Sequence, residues 1–471
     1  MEARTKKAER AYENFDPWEE IMNEAGAIDV AALIDAEPIG ARQWAIIALC
    51  AGVALLDGMD VQSIGLAAAG IGAELNIAPT SFGAVFSSAL AGLALGALFL
   101  GPLADRVGRK RVLIGSTLMF GLFTLATASS QFFSQLLAYR FLTGIGLGGA
   151  MPSFIALASE YVPSPRRAAI VSLVWAGFPL GGVVSGLLGA HLIPTYGWHS
   201  IFWVGGLLPI ALAVALAVLM PESVAWLINN RRGEQRIASV MTWIFPRHNF
   251  GAVREFLYSK AADRSTSVSE LFSEGRGPGT ILFWIAFFFV FMILVTNSAW
   301  TPLLLKSQDI PVQQSSLAMA VYNFGSIFGS AGAGYLMTRF RPKIVLAVSI
   351  IGGAVAYAAV GLIAPMFSGV FIAEALFGLL MGCGSSGLIG LGAVYYPSTI
   401  RSTGVGWATA AGRLGSFCGP LLIGFFVTAT FSPPAIFAII AGGACISGLA
   451  CMILRLPGSK TDPLGTPALA D

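Results

Sequence analysis

Twelve stretches of about 20 apolar residues follow one another along the chain, separated by short polar segments. Their centres fall near Leu55, Leu93, Phe120, Gly146, Gly181, Leu208, Phe291, Phe328, Val355, Leu380, Gly415 and Ala444. A hydrocarbon layer of ~30 Å is crossed by ~20 residues of helix. Segments of about ten alternating residues, as a membrane-spanning barrel needs, are absent from the pattern. The pattern therefore predicts an all-α membrane protein with twelve transmembrane helices. One long polar stretch, near residues 229–277, separates six windows from six. The expected division is a tail over 1–41, a six-helix bundle over 42–228 and a linker over 229–277. A second six-helix bundle over 278–456 and a tail over 457–471 complete it.

Composition supports lipid as the main solvent. Of 471 residues, 56% are hydrophobic and 11% charged, with mean hydropathy +0.75, whereas a globular domain carries about a quarter charged residues. Charge also sets an orientation. Of the 28 Lys and Arg, 25 lie in one alternating set of inter-window segments, and Lys306 alone lies in the other set. Arg140 and Arg413 fall inside windows. Positive charge stays inside, so both termini and the linker are expected on the cytoplasmic side. The first 41 residues are polar and precede no cleavage-like site, so they read as a cytoplasmic tail and not a signal peptide.

The five cysteines sit in apolar runs without a Cys-x-x-Cys pair, and the three histidines are not at ligand spacing. No disulfide, metal or cofactor is expected. The sequence holds no Gly-Lys-Ser/Thr phosphate loop, which excludes an ATP-driven pump. It also holds no nucleophile–base constellation, which argues against an enzyme. No nucleic-acid partner is expected, and the chain is expected to act as a monomer.

The two halves repeat. Arg140-x-Leu-x-Gly144-x-x-x-Gly148 returns 234 residues later as Glu374-x-Leu-x-Gly378-x-x-x-Gly382. Tyr161-x-Pro163-Ser164-x-x-Arg167 returns at the same offset as Tyr395-x-Pro397-Ser398-x-x-Arg401. At an offset of 233, Gly101-x-Leu-x-Asp105-Arg106-x-x-x-Lys110 returns as Gly334-x-Leu-x-Thr338-Arg339-x-x-x-Lys343. Two parallel six-span halves are the plan of alternating-access carriers, with the site between the halves near the midplane.

Gly101-Pro-Leu-Ala-Asp105-Arg106-Val-Gly108-Arg109-Lys110-Arg111 resembles the loop motif of the major facilitator superfamily, and Arg140 to Pro152 resembles its fourth-helix motif. More narrowly, Asp57-Gly58-Met59-Asp60 is similar to the Asp-Gly-Phe-Asp signature of the aromatic acid/proton symporters. Tyr396 to Pro420 is similar to that family's tenth-to-eleventh segment. The likeness runs from about Arg42 to Leu456. It implies a bacterial inner-membrane carrier that imports benzoate-like carboxylates with protons. Met59 in place of Phe and Cys383-Gly384-Ser385-Ser386 in the tenth span depart from the pattern. Drug/proton antiport is disfavoured, since the fifth span lacks the Gly-Pro-rich motif of those carriers. Pro221-Glu222-Ser223 is shared with sugar porters, but Arg413 favours an anion.

Candidate residues follow from the cost of charge in lipid. A carboxylate at the centre of a span costs ~2.5–3.5 kcal/mol and marks function by default. Asp57 and Asp60, three apart on one helix, are expected on one face as proton carriers. Arg140 lies at a similar depth and could bias their protonation or pair with them permanently. Arg413 offers a planar fork for the substrate carboxylate; its alternative role is a structural pair with Glu374, itself a candidate second proton site. Asn297, Trp300, Tyr322, Asn323 and Phe178 are candidate walls for an aromatic ring. By resemblance, Asp105, Arg106, Arg109 and Arg111 clamp the inner gap of the first half. Glu160 with Arg166 and Arg167, together with Glu222 and Arg401, would serve similar gating pairs.

Overall fold

The computed structural model describes residues 27–248, 250, 251, 253, 255–258, 267–364, 366–397 and 399–454. Residues 1–26 and 455–471, with most of the two expected tails, lie outside them. In chain order the elements are β1 (Ala27–Asp29), α1 (Val30–Ala36), α2 (Ala41–Leu75), α3 (Phe82–Val107), α4 (Arg109–Ala128) and α5 (Phe133–Glu160). There follow α6 (Arg167–Trp175), α7 (Gly177–Tyr196), α8 (His199–Leu219), α9 (Val224–Asn229), α10 (Glu234–Ile244) and β2 (Glu255–Leu257). The second half holds α11 (Gly277–Lys306), α12 (Val312–Arg339), α13 (Pro342–Ile363), α14 (Phe367–Tyr395), α15 (Arg401–Thr428) and α16 (Pro433–Ile453).

Every predicted window holds a helix. Among the described residues, eleven are long and apolar enough to cross a membrane. The remaining one, α12, spans 28 residues but is more polar, with Gln313, Gln314, Ser315, Ser316 and Asn323 near its start. It packs against α14 and across to α7, which buries Ser315, Ser316 and Asn323 against protein. The fifth window is interrupted: α6 ends at Trp175 and α7 begins at Gly177, with Ala176 as the turn between them.

The repeated glycines explain how each bundle closes. A Cβ on Gly144 or Gly148 of α5 would lie 2.0 Å from Ala89 O and 2.1 Å from Leu93 O, on α3. On Gly378 or Gly382 of α14 it would lie 1.9 Å from Tyr322 O and 2.4 Å from Ser326 O, on α12. One backbone-to-backbone contact is thus made twice, and only small residues permit it. Large apolar side chains such as Phe99, Val218, Val348, Leu362 and Phe425 point outward, as lipid requires.

A third layer covers the basic-loop end of the first bundle. β1 pairs in parallel with β2, Ile28 opposite Phe256. Ile28, Leu33 and Ile34 share one buried cluster with Ile237, Met241 and Ile244 of α10 and with Phe154 and Tyr161 of the bundle. The Ser164 amide donates to Asp35 Oδ1 at 2.6 Å. Arg42 donates to the Trp243 carbonyl and lies 5.4 Å from the Trp243 ring. Segments read from sequence as tail and linker therefore both contribute folded elements to one layer.

Candidate functional site

The Asp57-Gly58-Met59-Asp60 turn of α2 is fixed by its glycine. A Cβ on Gly58 would lie 1.9 Å from Phe178 O, and one on Gly181 would lie 1.8 Å from Leu55 O. The two helices thus touch backbone to backbone on that side, and the flanking carboxylates are carried to different surroundings. Asp60 turns into the first bundle. Arg140 of α5 grips it with both ends of the guanidinium, Nη1 at 3.0 Å from Oδ1 and Nη2 at 2.7 Å from Oδ2. Thr124 of α4 donates to the same Oδ1 at 2.9 Å. This pair is sealed from solvent, the two side chains being 1% and 0% exposed.

Asp57 faces the second bundle. It is buried, its Oδ1 has no hydrogen-bond partner among the described residues, and the charge acting on it most strongly is the Arg413 guanidinium of α15. Arg413 Nη2 also reaches Met151 Sδ of α5 at 2.8 Å. A carboxylate and a guanidinium from opposite bundles thus come within electrostatic reach of each other. Sequence spacing places Asp57 and Asp60 on one face, but three residues span 300° of helix. That remaining offset lets one acid enter the bundle while the other looks out of it.

Arg413 and Glu374 do not pair. Glu374 on α14 is fully buried and accepts from Asn297 Nδ2 at 3.3 Å, while its Oε1 has no partner among the described residues. Asn297 accepts in turn from Thr301 at 2.7 Å. Arg140 and Glu374 occupy equivalent repeat positions, and each reaches the first span of its own bundle. The first bundle places a cation there and the second an acid. Tyr322 stacks on Phe377 at 5.2 Å inside the second bundle.

Trp300 and Asn323 lie on the seam between bundles. Trp300 is buried, donates to Pro420 O at 3.1 Å and meets the Phe86 ring edge-on at 5.5 Å. Asn323 donates to Gln62 at 3.1 Å, and Ser87 donates to Phe417 O at 3.0 Å. Beside them a Cβ on Gly65 would lie 2.2 Å from Ser298 O, and one on Gly186 would lie 2.7 Å from Ser316 O. These contacts lie toward the face opposite the basic loops. Phe178 is half-buried and stands 6.4 Å from Trp175, which meets Phe154 at 6.0 Å.

The loop motif forms one network at the basic face. Arg109 lies 3.4 Å from Asp105 and 3.4 Å from Glu160. Glu160 also accepts from Ser223 Oγ and from the Ala225 amide, and Glu222 Oε1 accepts from the Lys110 amide at 2.9 Å. Gly108 sits at φ 118°, where a side chain would meet Glu222 at 2.5 Å. Glu160 is thus joined to Arg109 and Ser223, whereas the expectation pairs it with Arg166 and Arg167. Arg166, Arg106 and Arg401 are exposed, and Arg111 donates to Val107 O. Gln62, Met151 and Trp175 were missed in the sequence. Trp175 had a signal, an aromatic three residues before Phe178; the other two had none.

The chain matches the family model described as Major Facilitator Superfamily over residues 50–311 and 282–470. A 4-hydroxybenzoate transporter of Pseudomonas putida is 35% identical, covering 90% of this chain and 96% of that protein. A gallate transporter of the same species is 33% identical, covering 90% and 94%. These relatives are transporters, not enzymes, and they bear out the resemblance read from the Asp57 and Tyr396 motifs. Among solved structures, a D-xylose-proton symporter superposes with a TM-score of 0.70 at 15% identity, covering 88% of this chain and 98% of that one. The fold is therefore that of this symporter.

Proposed function

The chain belongs to the major facilitator superfamily, and on that premise we propose that it imports a small aromatic carboxylate together with protons by alternating access. The observation that carries this reading is the buried Asp57 and the half-buried Arg413, two opposite charges brought together from opposite bundles. The names of the relatives, 4-hydroxybenzoate and gallate transporters, supply the substrate class.

Arg413 binds the substrate carboxylate through its planar fork. Occupying Arg413 with an anion removes the cation that steadies ionised Asp57, which then takes up a proton. Substrate and proton therefore load together. Asp60 holds the α2–α5 contact through its two-armed pair with Arg140, and a change in that pair across the cycle relays to Asp57. Glu374, whose Oε1 has no partner among the described residues, is the second bundle's proton holder. Phe178 with Trp175 offers ring faces on the first bundle. Trp300 and Asn323 face the substrate when the seam opens, and Asn297 and Tyr322 act behind them, beside Glu374 inside the second bundle.

The seam occupies the face away from the basic loops, so this arrangement is the inward-facing state, with the basic face and both termini cytoplasmic by the positive-inside rule. The Asp105–Arg109–Glu160 network, with Glu222, the half-buried Arg167 and the exposed Arg106, Arg111, Arg166 and Arg401 around it, guards the inner gap. The protein acts as a monomer in the bacterial inner membrane. The substrate assignment is tested by competition for labelled 4-hydroxybenzoate uptake in proteoliposomes. Benzoate competes, whereas benzamide, the same ring without the charge, does not. Equal competition by both removes the carboxylate from the account.

A further inference from the structure

Away from the central site, at the basic face of the second bundle, α12, α13 and α14 enclose a groove of about 530 Å³ that opens on the outer, lipid-facing side. Leu336, Phe340, Ile344 and Val348 give it apolar walls, and Arg339 and Arg341 stand at its mouth. The walls are uncovered: Phe340, Ile344 and Val348 are 59%, 49% and 62% exposed. Ile344 and Val348, one turn apart on α13, continue outward along the helix as Val355 and Leu362, also exposed. The groove thus runs from the charged end of the helix into the apolar stripe that meets acyl chains.

The repeat shows what the second half lacks. In the first half, two carboxylates hold part of the equivalent loop: Arg109 lies against Asp105 and Glu160, while Arg106 and Arg111 stay exposed. In the second half Thr338 stands where Asp105 does, and Val394 stands where Glu160 does. Arg339, Arg341 and Lys343 remain as three clustered cations, and none enters an ion pair among the described residues. Arg341 also caps the start of α13, where the helix dipole favours an anion. Two unpaired arginines above an apolar slot, with Lys343 two residues further along the chain, fit one chemistry, a phosphate joined to hydrocarbon. We propose that this groove binds an anionic phospholipid, its phosphate on Arg339 and Arg341 and an acyl chain along Leu336, Ile344 and Val348. Basic residues at a membrane surface attract anionic lipid.

The test uses the full chain, purified in neutral detergent, with its thermal unfolding midpoint followed as lipid is added. Phosphatidylglycerol raises the midpoint in a saturable way, phosphatidylcholine does not, and glycerol phosphate without acyl chains has no effect. Arg339→Gln combined with Arg341→Gln keeps the lipid-free midpoint, since both side chains are exposed, but loses the phosphatidylglycerol shift. Native mass spectrometry of the parent retains one phosphatidylglycerol where the double variant retains none. Equal stabilisation by the two lipids, an equal effect of glycerol phosphate, or an undiminished shift in the double variant would each overturn the proposal.

Discussion

At the residue scale, the account turns on three charged groups inside lipid and on what each one meets. The proposed substrate contact uses the planar fork of Arg413, and a lysine offers a point charge in its place. Arg413→Lys is expected to weaken substrate binding by about 2–4 kcal/mol, read as loss of labelled 4-hydroxybenzoate binding in purified protein. Retained affinity would show that the fork is not used. Asp60 makes the opposite demand. Its removal leaves Arg140 buried without a partner, so Asp60→Asn should destabilise the fold by about 3–5 kcal/mol. Thermal unfolding checks this, and adding Arg140→Gln to Asp60→Asn should recover most of the loss. If Asp60→Asn alone unfolds like the parent, the pair is not the anchor described. The sequence revealed all these charges, because a charge inside an apolar window stands out from its background. It did not reveal their pairing. Helical spacing fixes the angle between Asp57 and Asp60 but not which neighbour stands in front of each, and the rival pairing of Arg413 with Glu374 looked equally available from depth alone.

At the scale of elements, glycine backbones set both the bundles and the seam. Gly65 meets Ser298 O so closely that any side chain must part α2 from α11. Gly65→Leu should therefore hold the outer side open. A cysteine placed on the outer half of α2 would then react faster with a membrane-impermeant thiol reagent, in a background without the native cysteines. An unchanged rate would mean that the seam is closed elsewhere. The twelve helices were legible because lipid demands a long apolar run for each, and even α12 announced itself by length. The layer made by β1, α1, α10 and β2 was not. Its pieces are short, and three-residue strands far apart in sequence leave no periodic trace. Ile237, Met241 and Ile244 do mark a buried stripe on α10 at spacings of four and three, a signal submerged in a segment otherwise rich in arginine.

At the scale of the whole molecule, two similar bundles each bring one charge, Asp57 and Arg413, to the proposed site. The repeat predicts that geometry, since equivalent halves leave the space between them as the natural place for a ligand. The repeat is also broken where function needs asymmetry: Arg140 answers to Glu374, and Asp105 to Thr338. The central claim is that substrate and proton travel together, with Asp57 carrying the proton. The most direct measurement is accumulation of labelled 4-hydroxybenzoate in proteoliposomes under an imposed pH gradient, acid outside, comparing the parent with Asp57→Asn. The account predicts that the parent concentrates substrate while the gradient lasts and that the variant only equilibrates it, exchanging labelled for unlabelled substrate without accumulation. Uphill uptake by Asp57→Asn equal to the parent's, or uptake by the parent that ignores the pH gradient and follows sodium, would contradict it.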